Sequence, residues 1–423
     1  MKKRRYLLTA ISIILCLFFA VNTFSCGKNP KASETKNPSS SVTGPSAPST
    51  SGDVTDKPQN TQKPVETTPS VSPSPSPPPY PGPEVKLVPY DGIVEHIFFH
   101  EVIAYPELAF DGDAEQQGFD EYMVTVSEYN KVLDELYWNG FILVNLNDVW
   151  SEYIDESGVH KMRKNTLMLP ENKKPLIISY DDISFYKYMQ GNGFMQKLII
   201  GDDGDIWATG VDRSGAPIIT QDLTAVTILD KFVRQHPDFS MNGVKGCIAL
   251  TGYEGILGYR TQTDRNNDTE EFRANRMQEI ARVRPVVERL KETGWYFASH
   301  SYGHIGLAGA SFNGVSADAT RWMDEVGSLV GPTKIFLYPF GSRLDGNDVY
   351  DTGPALKYYH DLGFRYFGSV GYESFSRIKP DIAAVVFDRI NIDGITLRSE
   401  KSRERFLQYG FFDSAQILDP MRP

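Results

Sequence analysis

Two adjacent carboxylates, Asp181 and Asp182, close the run Pro175-Leu176-Ile177-Ile178-Ser179-Tyr180-Asp181-Asp182. Its apolar part reads as a buried strand. Burying unpaired charge is expensive, so the two acids call for a compensating partner such as a metal ion. The chain has seven histidines, and two pairs have i, i+4 spacing: His96/His100 in HIFFH and His300/His304 in HSYGH. HIFFH lies in an extended, β-prone stretch where four residues cover about 13 Å. Two imidazoles so placed are poorly set to share an ion whose Zn–N bonds are about 2.0–2.1 Å. HSYGH begins where the strand-like WYFAS ends, and Gly303 allows a turn. A turned i, i+4 step of about 6 Å lets both rings face one ion. Asp182, His300 and His304 thus form a two-histidine, one-carboxylate set with room for water, as a catalytic metal site requires. The expected cofactor is a divalent metal, Zn2+ first, with Co2+, Ni2+ or Fe2+ also suited to these donors.

These residues need elements to carry them. Strand-like runs are Ile93–Ile103, Phe141–Leu146, Leu176–Tyr180, Cys247–Leu250, Trp295–Ser299, Ile335–Leu337, Tyr366–Val370 and Val385–Ile392. Helical patterns fall between most of them, at Ser127–Trp138, Leu223–Arg234, Thr269–Lys291, Asp318–Leu329 and Pro354–Asp361. Ser127 reads as an N-cap, and Gly140, Gly294 and Gly363 sit where helices should stop. Alternation of this kind implies parallel strands with crossover helices, in a closed barrel or a doubly wound sheet. The acids and the HSYGH pair both fall just past strand C-termini, the face where such folds build active sites. A third strand ends on Tyr338-Pro339-Phe340-Gly341, a turn able to present backbone N–H groups to the same point. The interval from Ile183 to Gln221 breaks the rhythm, and its turn Gly201–Asp205 reads as a β-hairpin inserted directly after Asp182.

SYDDI, HSYGH and LYPFG, in that order, resemble the first three motifs of the polysaccharide deacetylases (carbohydrate esterase family 4, the NodB-homology domain). The resemblance covers about residues 175–392 and implies a distorted (β/α) barrel, within a catalytic domain spanning 84–423. Ile93–Leu146 looks like the N-terminal βαβ extension of some members. Carried over by position, Asp181 is the implied general base, and Asp182, His300 and His304 are the implied metal ligands. Tyr338, Pro339 and Phe340 would line the groove and supply an oxyanion-binding amide. The implied reaction removes acetyl groups from N-acetylated amino sugars of a glycan such as peptidoglycan, a chitin-like polymer or poly-N-acetylglucosamine. In it, metal-activated water gives a proton to Asp181 and attacks the acetamide carbonyl.

Three positions depart from the family pattern. Ile183 stands where glycine is usual. Leu337 replaces an arginine that orients the base, leaving Arg389 or Arg343 to substitute. No histidine follows His360, although many members place there the acid that protonates the leaving amine. His100, at the end of the first strand, is the replacement candidate. An amine leaves poorly unless protonated, so an O-acetyl esterase and a non-catalytic, metal-retaining glycan-binding module stand as alternatives.

Composition narrows the partners. The net charge is −11, and −15 without Lys2, Lys3, Arg4 and Arg5. An acidic body argues against nucleic acid, whereas a neutral or amino-sugar glycan meets no such barrier. No protein partner is legible. Of three cysteines, Cys16 lies in the apolar N-terminal run and Cys247 reads as a buried small hydrophobe, so there is no disulfide scaffold. MKKRRY followed by uncharged Leu7–Phe24 has the layout of an export signal, and is also near the minimum length of a membrane span. Phe24-Ser25-Cys26-Gly27 resembles a bacterial lipobox, with Thr23 where leucine is usual. It implies a leader over 1–25 and lipid attachment at Cys26; an uncleaved anchor and a secreted form are the alternatives. All three place the body outside the cytoplasm. Residues 26–83 are a Pro/Ser/Thr-rich linker, an extended tether of about 3.1 Å per residue. Asp264-Arg265-Asn266-Asn267-Asp268 lacks the glycine and final glutamate of a calcium loop and reads as a helix-entry turn. Trp207, Tyr253, Tyr259 and Tyr302 are aromatic candidates for stacking on sugar rings.

Overall fold

The computed structural model describes residues 80–423. Seven strands form its centre: β1 (Glu95–Phe99), β2 (Lys174–Asp181), β3 (Cys247–Leu250), β4 (Tyr296–Ser299), β5 (Ile335–Leu337), β6 (Tyr366–Gly371) and β7 (Val385–Asn391). Each pairs in parallel with the next in chain order, and β7 returns to β1 through Ile390↔Ile97 and Asn391↔Phe98. The sheet is therefore a closed barrel. Parallel neighbours need crossovers, and five are built around helices: α1 (Val126–Trp138), α2 (Ala225–Gln235), α3 (Glu270–Glu292), α4 (Phe312–Trp322) and α5 (Pro354–Asp361). The barrel is distorted in two places. The β6–β7 link carries a short strand, Ser376–Ile378, antiparallel to β7, in place of a helix. The β4–β5 seam has a single register pair, Ser299↔Phe336.

The period of two along each strand sorts the residues. On β1, Ile97 and Phe99 join the large apolar cluster between barrel and helices. His96 and Phe98 face the lumen, where His96 stacks on Phe387 and Phe98 lies under Arg389. Most of the lumen is filled by small and aliphatic side chains such as Ile177, Ala249, Ala298, Leu337 and Val385.

Several local expectations are corrected. The insertion after Asp182 is a three-stranded antiparallel sheet (Lys197–Ile200, Ile206–Val211, Pro217–Thr220) rather than a two-stranded hairpin; a second tight turn at 212–216 adds the third strand. The cap of α1 is Thr125, not Ser127, because Thr125 and Glu128 satisfy each other's backbone N–H in a capping box. Gly140, Gly294 and Gly363 have φ of 80°, 103° and 106°, the left-handed conformation that ends a helix. Packing already includes Tyr80, whose carbonyl accepts from Asn242 N–H (2.7 Å), so the last residues assigned to the linker join the folded body. The leader, Cys26 and the linker up to residue 79 lie outside the described residues. Among those described, no helix is long and apolar enough to cross a membrane.

One buried group sets a pH dependence of stability. Glu101 Oε1 accepts from the amides of Val102 (3.0 Å) and Ala225 (3.1 Å), at the start of α2. Its Oε2 has no partner among the described residues. Burial pushes this carboxyl up to about 7, against the two amide hydrogen bonds. A raised carboxyl gives stability that is fully present below the unfolded value near ~4.3 and lost as pH rises through the folded value. Glu101→Gln, which cannot ionise, is expected to gain thermal stability over the wild type between pH 5 and pH 8. A melting-temperature difference that stays constant over that range contradicts this assignment.

Candidate metal and catalytic site

The two carboxylates leave β2 in different directions. Asp181 follows Ile177 and Ser179 into the lumen, as the strand period requires. Asp182 has φ 63°, in the left-handed region that non-glycine residues seldom adopt. That twist turns its carboxylate over the barrel mouth instead of out toward the helices. A residue held there costs on the order of 1–3 kcal/mol and persists only where its surroundings over-determine it.

Asp181 is 2% exposed and held by Arg389, with Nη1 donating to Oδ1 (2.7 Å) and Nη2 to Oδ2 (2.9 Å). Such fork-to-fork pairs combine geometric specificity with strong hydrogen bonds. Burial alone would raise the Asp181 carboxyl, but the Arg389 guanidinium and then His300 outweigh it and hold it well below the usual carboxylate range. Arg343, the other orienting candidate, is committed to Asp348 (2.9 Å) and Asp388.

Asp182 has a different environment. Its Oδ1 accepts from the Tyr186 hydroxyl (2.5 Å), whose oxygen is in turn 2.5 Å from Thr251 Oγ1. Oδ2 faces His304 Nε2 at 3.4 Å and His300 Nε2 at 3.9 Å. His300 Nδ1 lies 2.8 Å from the Leu337 carbonyl. A carbonyl only accepts, so Nδ1 carries the proton and Nε2 presents a lone pair. That lone pair also faces Asp181 Oδ2 at 3.8 Å. Acceptors converging on acceptors are resolved by a cation between them, and one donor atom each from Asp182, His300 and His304 lies within 4.8 Å of the others. Burial lowers His304 to about 4, partly offset by Asp182, so its imidazole is neutral and able to ligate near pH 7. The donor set fits a divalent ion.

The loop that brings the histidines together is not turned by Gly303. Ser301 (φ 55°) and His304 (φ 51°) take the left-handed conformation, and Asp318 of α4 accepts from the amides of Tyr302 (2.7 Å) and Gly303 (2.8 Å) to hold it. The two rings end 5.1 Å apart.

The third motif contributes unevenly. Tyr338 is fully buried, with its hydroxyl on Asp348 and its amide on Gly368, so it presents no group to a groove. Pro339 has no N–H. The Gly341 amide returns to the Tyr338 carbonyl (3.2 Å). The Phe340 amide is left as the turn's donor, and the Phe340 ring, 60% exposed, stands edge-on to His304 at 4.4 Å. Of the four aromatic candidates, Tyr253 alone is brought to the site with an exposed ring, stacked on Tyr186 at 5.0 Å. Tyr302 is buried on Glu325, Tyr259 on the Leu198 carbonyl, and Trp207 bonds Asp203 on the insertion.

His100 lies one residue beyond β1. Phe99 pairs with Tyr180 and Phe98 with Asn391, so His100 reaches the mouth beside Asp181, on the side where Asp393 follows β7. Its Nδ1 is 2.9 Å from the Tyr122 carbonyl, which fixes the proton there and leaves Nε2 to accept or carry a second one. Tyr186, Thr251 and Asp318 escaped sequence reasoning. Tyr186 had a faint signal, four residues after Asp182, while Thr251 and Asp318 come from other crossovers.

No family model and no curated protein matches the chain. Among solved structures it is similar to the deacetylase PplD of Streptococcus pyogenes in complex with acetate, at 14% identity and TM-score 0.41, over 76% of this chain and 98% of that one. It is also similar to a polysaccharide deacetylase from Bacillus cereus, at 11% identity and TM-score 0.39, over 76% of this chain and 69% of that one. Function is therefore read from the site's own residues.

Zinc titration against a competing chelator tests the donor set. His304→Ala is expected to lose stoichiometric zinc, and Tyr186→Phe to weaken it about 10–100-fold by releasing Asp182 Oδ1. Unchanged affinity in Tyr186→Phe contradicts its orienting role.

Proposed function

We propose that the chain is a metal-dependent polysaccharide deacetylase that hydrolyses the acetamide of N-acetylated amino sugars in an extracytoplasmic glycan. The observation that carries this reading is the unequal treatment of two adjacent carboxylates. Arg389 occupies both oxygens of Asp181, whereas Asp182 keeps one oxygen free between two imidazole nitrogens. Asp182, His300 and His304 would hold the divalent ion, which when bound acidifies water and polarises an acyl oxygen at that point.

The remaining roles belong to the chain's own groups. Asp181 stays ionised across the neutral range, because Arg389 and His300 offset its burial, and takes the proton of the attacking water. Arg389 prevents the carboxylate from swinging onto the ligand position. The Phe340 amide is the donor for the developing oxyanion. His100, with Nδ1 fixed on Tyr122, delivers a proton from Nε2 to the departing amine. This donor favours amide over ester hydrolysis, since an alcohol leaves more readily than an amine. Tyr253, stacked on the Tyr186 that binds Asp182, and Phe340, edge-on to His304, are exposed rings beside the triad for the sugar. The basic-then-apolar N-terminus, the lipobox-like Phe24-Ser25-Cys26-Gly27 and the Pro/Ser/Thr-rich stretch after it support a membrane-anchored, extracytoplasmic form, and the acidic charge suits a glycan rather than nucleic acid.

Acetate release from tetra-N-acetylchitotetraose, from peptidoglycan fragments and from an aryl acetate ester, with and without chelator, tests the reading. Chelator-sensitive release from an amide substrate is expected. Asp181→Asn should lose about 10²–10⁴-fold in turnover while retaining zinc. His100→Phe should lose at least about tenfold more on the amide than on the ester. Release from the ester alone identifies an esterase, and no release, or chelator-insensitive release, on every substrate would falsify the enzymatic reading.

A further inference from the structure

Among the described residues, a file of buried polar side chains runs through the largely apolar barrel lumen. From the closed end upward these are His96 on β1, Ser179 on β2, Arg389 on β7 and Asp181 at the end of β2, each at most 3% exposed. They form a continuous chain. His96 Nε2 is 3.0 Å from Ser179 Oγ, Arg389 Nη1 donates to Ser179 Oγ at 3.1 Å, and Arg389 grips Asp181 at 2.7 and 2.9 Å. The proposed chemistry uses the last two members and leaves the first two unexplained. Buried polar groups in an apolar lumen are costly unless mutually satisfied.

The proton positions follow from the donors. Arg389 can only donate, so Ser179 Oγ accepts from it, and among the described residues His96 Nε2 is the one hydrogen-bond partner left to take the serine's own proton. With Nε2 accepting in this way, the ring's proton sits on Nδ1. Burial and then Arg389 keep the ring from gaining a second proton. Nδ1 has no partner among the described residues. His96 also borders a cavity of about 70 Å³ at the closed end, with Val94, Trp150, Ile177, Ser374 and Phe387, roomy enough for water to receive that N–H. The ring cannot tilt freely, because it stacks on Phe387 at 5.4 Å and 20°.

We propose that His96 is a positioning residue for the base: by taking the Ser179 proton it presents the serine oxygen to Arg389 and fixes the guanidinium plane that holds Asp181. This rests on the reading of Asp181 as the base. Ser179 and Asp181 lie two apart on β2 and share the lumen face. Without His96, the Ser179 hydroxyl would be free to donate toward the Asp181 carboxylate and compete with Arg389 for it. The Phe98 ring, 4.3 Å from the guanidinium, leaves Arg389 little room to compensate.

Two measurements on the full-length protein test this. In ¹⁵N-histidine NMR of the metal-free chain, His96 should show the Nδ1–H tautomer and no titration from pH 5 to 8, its signals identified by their loss in His96→Gln. An Nε2–H tautomer overturns the proposal, whatever the enzyme's substrate. In kinetics, His96→Phe and Ser179→Ala should each lower kcat at least about tenfold with KM within about twofold and zinc content unchanged. His96→Gln, whose amide oxygen can accept from Ser179, should recover to within about threefold. The double variant should be no worse than the poorer single one, because both act through one contact. Additive losses, or wild-type kcat in Ser179→Ala, overturn the proposal even where His96→Phe fails to fold. A wild type that releases no acetate would refute the proposed function, while the tautomer still decides the contact between His96 and Ser179.

Discussion

An ionised carboxylate inside a barrel must be compensated at close range, because removing it from water costs several kcal/mol that packing cannot return. Asp181 meets that requirement through both oxygens on Arg389, and much of the site is arranged by this pair. Because Arg389 is itself buried, it needs acceptors in the lumen, which Asp181 and Ser179 supply. Because Asp181 is committed to Arg389, the neighbouring carboxylate is the one left for an ion. Asp182 becomes available through a left-handed backbone, and Tyr186 then takes one of its oxygens. The two acids are chemically distinct before any ligand arrives.

The same economy holds for the histidines. The β4–β5 seam has one register pair, and directly above it His300 Nδ1 meets the Leu337 carbonyl across the gap. One side-chain contact thus ties the barrel where its ladder is thinnest and points Nε2 at the mouth. Asp318 does comparable service for the loop from Ser301 to His304, taking two amides that the turn would otherwise leave unsatisfied. Fold and site depend on the same few contacts, so variants in either should be judged by folding and metal content as well as by rate.

Much of this was legible in the residue order. Cys247–Leu250, Ile335–Leu337 and Pro354–Asp361 form as their patterns indicate, and the acids and the HSYGH pair meet at one barrel mouth. Strand alternation alone left a closed barrel and a doubly wound sheet open; the three motifs implied the barrel, and its closure rests on two register pairs between β7 and β1, far apart in sequence. The left-handed conformations at Asp182, Ser301 and His304 were hidden because glycine is the residue that advertises them, and Gly303 drew attention away. Ser127 looked like a cap in isolation, whereas the reciprocal partner of Glu128 is Thr125. The His96–Ser179–Arg389 file joins three strands through side chains, so no spacing along the chain could reveal it.

The central claim, that Asp182 ligates while Asp181 is held back as base, can be examined directly by anomalous diffraction at the zinc edge on zinc-loaded crystals. The account predicts one peak bonded to Asp182 Oδ2, His300 Nε2 and His304 Nε2, with Asp181 still on Arg389 and off the metal. A peak ligated by Asp181, or no peak at this mouth in zinc-saturated protein, would contradict it.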